Sequence, residues 1–282
     1  MEDDATDDDD TRLVTTRRTA LAASGAAVGA LGLGSTGVGA SRQGDEDAAD
    51  DDAEGGSGRR YRVTVANLTS GQFLTPPAVA VHDPSVGVFS VGDEANEATR
   101  EVAENGNLDP LAELIEGTDE IRAAAIGAEP LVPSADPGGT GLPYTVELEL
   151  SVPGGRGAPE GTPAGRSNFL TFVAMLIATN DGFAGLDTVP LPTAVNESRS
   201  YLAASYDAGT ERNTERFADI VPPAQVLAGV DADADGIASP QPELDEGGVV
   251  SPHPGLSGDG DLDPDRFGWD DPVALVHVER TG

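Results

Sequence analysis

From residue 144 to 152 apolar and polar side chains alternate without a break. Tyr144, Val146, Leu148, Leu150 and Val152 are interleaved with Thr145, Glu147, Glu149 and Ser151. A period of two puts one set against a core and the other in water, which predicts a half-buried antiparallel strand. Residues 60–68 repeat the pattern, with Tyr61, Val63 and Val65 on one face and Arg62 and Thr64 on the other. Residues 169–177 are nearly all apolar, which predicts a strand buried on both faces. Short extended runs at 78–82, 201–206 and 272–280 complete the strand set, and 121–126 fits either a helix or a strand.

Helical signals are few. Residues 94–104 have helical character, with Gly106 as the stop. Asp109, Pro110 and Gly117 suit an N-cap, a first helical position and the residue past the end, so 110–116 reads as a short helix. Many strands, turn-rich connections and little helix predict a mainly β fold, an antiparallel β-sandwich with one or two short helices.

The N-terminal part lies outside that pattern. An acidic run is followed by Arg17-Arg18, then by a small-residue apolar stretch over 20–38 and Val38-Gly39-Ala40 before Ser41. This order reads as a twin-arginine export signal over 1–40, cleaved at a small-x-small site. A membrane anchor is the competing reading, disfavoured by the glycine content. Residues 41–58 are rich in Asp, Glu and Gly and read as a disordered linker, leaving one folded domain over 59–282. The localisation expected is secreted or cell-surface.

Charge sharpens the setting. The 282 residues carry a formal net charge of −34, and all 16 basic residues are arginine. A carboxylate-covered surface without lysine suits high salt, where repulsion is screened. It disfavours nucleic acid and anionic membrane as partners. With no cysteine in the chain, disulfides, thiolate zinc sites and a cysteine nucleophile are excluded.

Candidate chemistry concentrates in two segments, Asn180-Asp181-Gly182-Phe183 and Tyr206-Asp207-Ala208-Gly209-Thr210-Glu211. Each sets carboxylates in a glycine-containing loop after a strand-like run, so Asp181, Asp207 and Glu211 could converge on one hard cation. Calcium takes about 6–8 oxygen ligands at ~2.3–2.6 Å and tolerates irregular loops. Magnesium demands stricter geometry, and zinc is disfavoured because no His or Cys is near in sequence. In a chain with 50 acidic residues, turn formation or simple surface hydration competes with this reading.

These segments sit in an order that resembles the spondin N-terminal domain of F-spondin and mindin. The strand Tyr61-Arg62-Val63-Thr64-Val65 comes first, then the helical stretches over 98–106 and 111–115. Asn180-Asp181-Gly182-Phe183-Ala184-Gly185-Leu186-Asp187 and Tyr206-Asp207-Ala208-Gly209-Thr210-Glu211 follow. The resemblance implies a C2-like β-sandwich that binds calcium at one end through Asp181, Asp207 and Glu211. It departs from the family in having Glu211 where an Asp is usual, in lacking the animal proteins' cysteines, and in carrying no thrombospondin-type repeats. The function expected is an exported calcium-binding module that adheres to an extracellular protein or glycan, and not an enzyme. The alternatives are a secreted hydrolase using the same acids and a purely structural envelope protein.

Other features carry less. Asp231, Asp233, Asp235 and Gly236 match the first half of an EF-hand loop, but Pro242 stands where the closing Glu belongs; a second ion and an acidic insertion both fit. His82-Asp83-Pro84-Ser85 has triad residue types in adjacent positions, which cannot form a triad, and reads as a turn. His253 falls in a Pro/Gly loop and His277 alternates within a strand. Asn67 and Asn196 head glycosylation sequons, with Asn196 the better acceptor.

Overall fold

The computed structural model describes residues 58–133, 141–153, 168–222 and 241–282. The export-signal and linker readings, and the possible second ion site at Asp231, Asp233 and Asp235, lie outside these residues. In chain order the strands are β1 (Arg59–Asn67), β2 (Ala78–His82), β3 (Ile121–Ile126), β4 (Thr145–Val152), β5 (Phe169–Met175), β6 (Gly182–Pro190), β7 (Ser198–Asp207), β8 (Ser251–Pro252) and β9 (Ala274–Arg280). The helices are α1 (Glu97–Asn105), α2 (Asp109–Gly117) and the single turn α3 (Pro264–Phe267).

All pairings are antiparallel, in the order β3-β2-β5-β6-β7-β9-β1-β4, with β8 added beside β7. The two separate sheets of the expected sandwich are therefore one sheet. It is continuous because β7, ten residues long, changes partner midway. Residues up to Ala203 pair with β9, and those from Ala204 pair with β6. At the changeover Ser205 N–H leaves the β9 ladder and donates instead to Asp271 Oδ1 at 2.8 Å. The end strands β3 and β4 come within 8 Å of each other, so the sheet is nearly closed and barrel-like.

The alternating strands behave as expected except at the start of β4, where Tyr144 lies outside the strand and is exposed and Val146 is half-buried. Tyr61, Val63, Val65, Leu148, Leu150 and Val152 point inward with Val276 and Val278. Strand β5 is buried on both faces, as its run implied. Leu170, Phe172 and Ala174 face the interior, while Val173 faces a second layer built from α1, α2 and Phe89. The ambiguous segment at 121–126 is a strand.

Strand β6 had no counterpart in the sequence pattern, which placed 180–183 in a loop. Its glycines are poor strand formers, but Gly185 is there because the Phe89 ring lies over it. A Cβ on Gly185 would stand 2.7 Å from Phe89 Cζ. The helix ends differ by one residue from expectation, except that α1 starts three residues later than the helical character at 94 implied. Asn96 caps α1 by accepting from Thr99 N at 2.9 Å. Gly106 stops α1, its N–H donating to Val102 O at 3.0 Å. Asp109 and Gly117 are the first and last residues of α2 rather than its flanks.

The minor motifs resolve as structure. His82 is buried, with Nδ1 2.8 Å from Asp83 O and Nε2 2.8 Å from Thr171 Oγ1, and a turn follows it. His277 stands across from Ser200 on β7. Asn67 is fully buried, and its Nδ2 donates to Gln72 O and Leu131 O at 2.8 and 3.2 Å. Its amide nitrogen is thus committed in the fold, whereas Asn196 is exposed in a turn at φ 66°.

Glu215 clamps the loop that follows β8. Its carboxylate accepts from Ser257 N at 2.6 Å, Gly258 N at 2.7 Å and Asp259 N at 3.2 Å. Burial pushes this carboxyl up, but the Ser257 donors and the Gly258 and Asp259 N–H groups outweigh it and hold it below the usual range. Glu215→Ala strands these donors and should cost on the order of 3 kcal/mol, read from the denaturant midpoint in high salt.

Candidate metal centre

Two turns meet at one end of the sheet. The first is the β5–β6 hairpin, which Thr179 shapes by accepting from Gly182 N at 2.9 Å and donating to Leu176 O at 2.6 Å. Asp181 sits at its tip and is fully buried. The second turn leaves the end of β7 at Asp207. Gly209 makes it possible, with φ +70° and a Cβ position only 2.6 Å from Val249 N. A side chain there would collide with backbone in a conformation L residues avoid.

Asp181 ties the turns together. Its Oδ2 accepts from Thr210 N at 2.8 Å, Thr210 Oγ1 at 3.2 Å and Glu211 N at 2.9 Å. Its backbone carbonyl accepts from Ala208 N at 3.1 Å. Asp181, Asp207 and Glu211 are therefore brought to the same end of the sheet, as their positions suggested. Nothing local in the sequence dictates this; the pairing of Gly182 with Asp207 across β6 and β7 does.

The electrostatics are those of crowded, dry carboxyls. Burial, then the nearby Asp207, pushes Asp181 up to about 7 despite its N–H donors. Burial, then Glu104 and Asp181, pushes Glu211 up to about 8, with Arg100 opposing. Asp181 Oδ1 and Glu211 Oε1 are buried without a hydrogen-bond partner, a costly state for a carboxylate unless a cation or proton satisfies it.

Asp207 differs. Its Oδ1 accepts from Gly209 N at 2.7 Å and its Oδ2 from Asn213 Nδ2 at 2.5 Å. Among the described residues no three His, Cys, Asp or Glu side chains already stand in ligating positions. The donor set fits a hard cation in its chemistry, all oxygen and surplus negative charge, with Asp207 keeping a second lone pair on each oxygen.

One neighbour was invisible in the sequence. Strand β8 lays residue 252 opposite Tyr206 and so carries His253 onto β7, where His253 N donates to Ser205 O at 3.1 Å. The His253 ring packs edge-on against Trp269 at 5.0 Å. Burial pulls the His253 pKa down, against Asp207, Asp271 and Glu215. Its Nδ1 accepts from Gly255 N at 3.0 Å, so the proton of the neutral ring sits on Nε2. Nε2 is buried without a hydrogen-bond partner, and in this tautomer it has no lone pair to offer a cation.

No family model matches the chain, and no curated protein matches it. Among the described residues no helix is long and apolar enough to cross a membrane.

Proposed function

We propose that the chain is an exported β module whose loop end binds calcium and, so rigidified, presents neighbouring loops to an extracellular protein or glycan. The observation that carries this reading is the pair of buried, partnerless oxygens, Asp181 Oδ1 and Glu211 Oε1, set among like charges. A divalent cation would satisfy both and offset the repulsion. Asp181 and Glu211 would be the principal ligands and Asp207 the third.

Assignment to the spondin N-terminal family, with its C2-like sandwich, rests on the order of four segments: opening strand, helices, Asp181 hairpin and Asp207–Glu211 turn. Export and a surface or extracellular location rest on Arg17-Arg18 and the small-residue stretch after them. Catalysis is the weaker reading. Acids poised near neutrality suit general acid–base work, but Asp181 at 0 % and Glu211 at 2 % exposure leave no face for a substrate.

The test is calorimetric titration of the metal-free protein with calcium in multimolar potassium chloride. One calcium per chain, lost in Asp181→Asn, is the expected result. Absence of a binding heat together with no calcium-dependent change in melting temperature would sink the reading. If calcium moves stability alone and no surface ligand is ever retained, the structural-envelope alternative takes its place.

A further inference from the structure

We infer that Glu104, in the last turn of α1, is a fourth acidic group of this cation end, and that Arg100 supplies positive charge there until an ion arrives. The inference rests on the calcium reading above.

Glu104 is far from both acidic turns in sequence, yet its side chain is 1 % exposed. A carboxylate is buried only where something pairs with it. Arg100, one turn earlier on α1, donates from Nε to Glu104 Oε1 at 2.8 Å. The same guanidinium reaches Asp245 Oδ1 at 3.7 Å. Asp245 forms an isolated bridge with Glu211. Arg100 therefore spans from Glu104 to the residue paired with Glu211, one positive charge among several negative ones.

Helix physics gives no reason for an acid at this position. The C-terminal end of a helix carries partial negative charge and favours cations, and the last turn of α1 holds no basic residue. An Arg preceding a Glu by four residues is also the weaker orientation of such a pair. The placement does make sense beside Glu211. Arg100 bonds Glu104 and also reaches Asp245, which is bridged to Glu211, so the α1 pair lies against the turn that carries Glu211. A divalent ion at Glu211 Oε1 would be drawn by the Glu104 charge and would displace Arg100 from its role as counter-ion.

The test compares calcium titrations of the wild type, Glu104→Gln, Arg100→Gln and the exposed α2 change Glu113→Gln. Glu104→Gln should weaken calcium by about tenfold or more, since affinity follows ligand charge and the supporting shell. Arg100→Gln should strengthen calcium binding while lowering the metal-free melting temperature. Glu113→Gln, which alters net charge equally, should leave affinity unchanged. Wild-type binding with unaltered affinity in Glu104→Gln overturns the inference and leaves the calcium reading intact. If Glu104→Gln fails to fold, an unchanged or weakened affinity in Arg100→Gln overturns it instead. A wild type that binds no calcium removes both.

Discussion

Saturating calcium should raise the melting temperature of the metal-free protein by about 10 °C in high salt, and Asp181→Asn should abolish the rise. A ligand at about a thousandfold its Kd stabilises the state that binds it by ~4 kcal/mol, and a domain of this size gains a few degrees per kcal/mol. The variant also has a diagnostic effect without metal. Asn at this position keeps an oxygen for the Thr210 and Glu211 N–H groups, which now bond Asp181 Oδ2 at 2.8 and 2.9 Å. Its amide nitrogen replaces the partnerless Oδ1 and can face Asp207 as a donor. Metal-free Asp181→Asn should therefore melt no lower than the metal-free wild type above pH 7. A variant that loses several degrees without calcium would mean that Asp181 serves the fold as a charge and not as a ligand. Differential scanning calorimetry at two calcium levels separates the cases.

Much of the fold could be read from the chain, and what could not has identifiable causes. Strands β1 and β4 were legible because one face of each is wet, so burial and sequence share a period of two. Strand β5 was legible because α1 and α2 cover the face that the interior does not. Strand β6 opens Gly182-Phe183-Ala184-Gly185; Gly185 is required by Phe89, which arrives from a distant loop, and Gly182 by Thr179 and His253. Closure into one barrel-like sheet depends on β7 changing partners between Ala203 and Ala204, and two small residues in a strand carry no sign of it. The site divides in the same way. Asp181, Asp207 and Glu211 stand in glycine turns and could be picked out. Glu104 and His253 reach the same end through helix packing and a two-residue strand, contacts that no local pattern encodes.

Stability of the metal-free protein should fall as pH rises from about 4 to 8, the reverse of most acidic proteins. The cause is the pair of raised carboxyls, Asp181 near 7 and Glu211 near 8 in the folded state. Unfolded, both ionise near their ordinary values of about 4. Below that range both states hold the protons and the groups cost nothing. Between there and the folded values the unfolded chain has released its protons while the native state retains them. Each further rise in pH then favours unfolding, until the loss is complete above about 8. Together the groups should remove on the order of a few kcal/mol. Glu197, drawn down to about 2 by the Ala194 and Thr193 N–H groups and Arg199, acts oppositely but mostly below this window. His253, pulled down by burial, opposes the slope within it up to its ordinary value of about 6.5. General repulsion from the −34 charge would give a similar slope, but multimolar salt screens surface charges far more than buried ones. The slope should therefore persist in high salt, shrink in Asp181→Asn, and vanish with saturating calcium. Because the ion binds carboxylates and not carboxylic acids, its uptake near pH 6 should release about two protons per chain. Equal calorimetric binding heats in buffers of different ionisation enthalpy would show that no protons are released and that the buried pair is already charged.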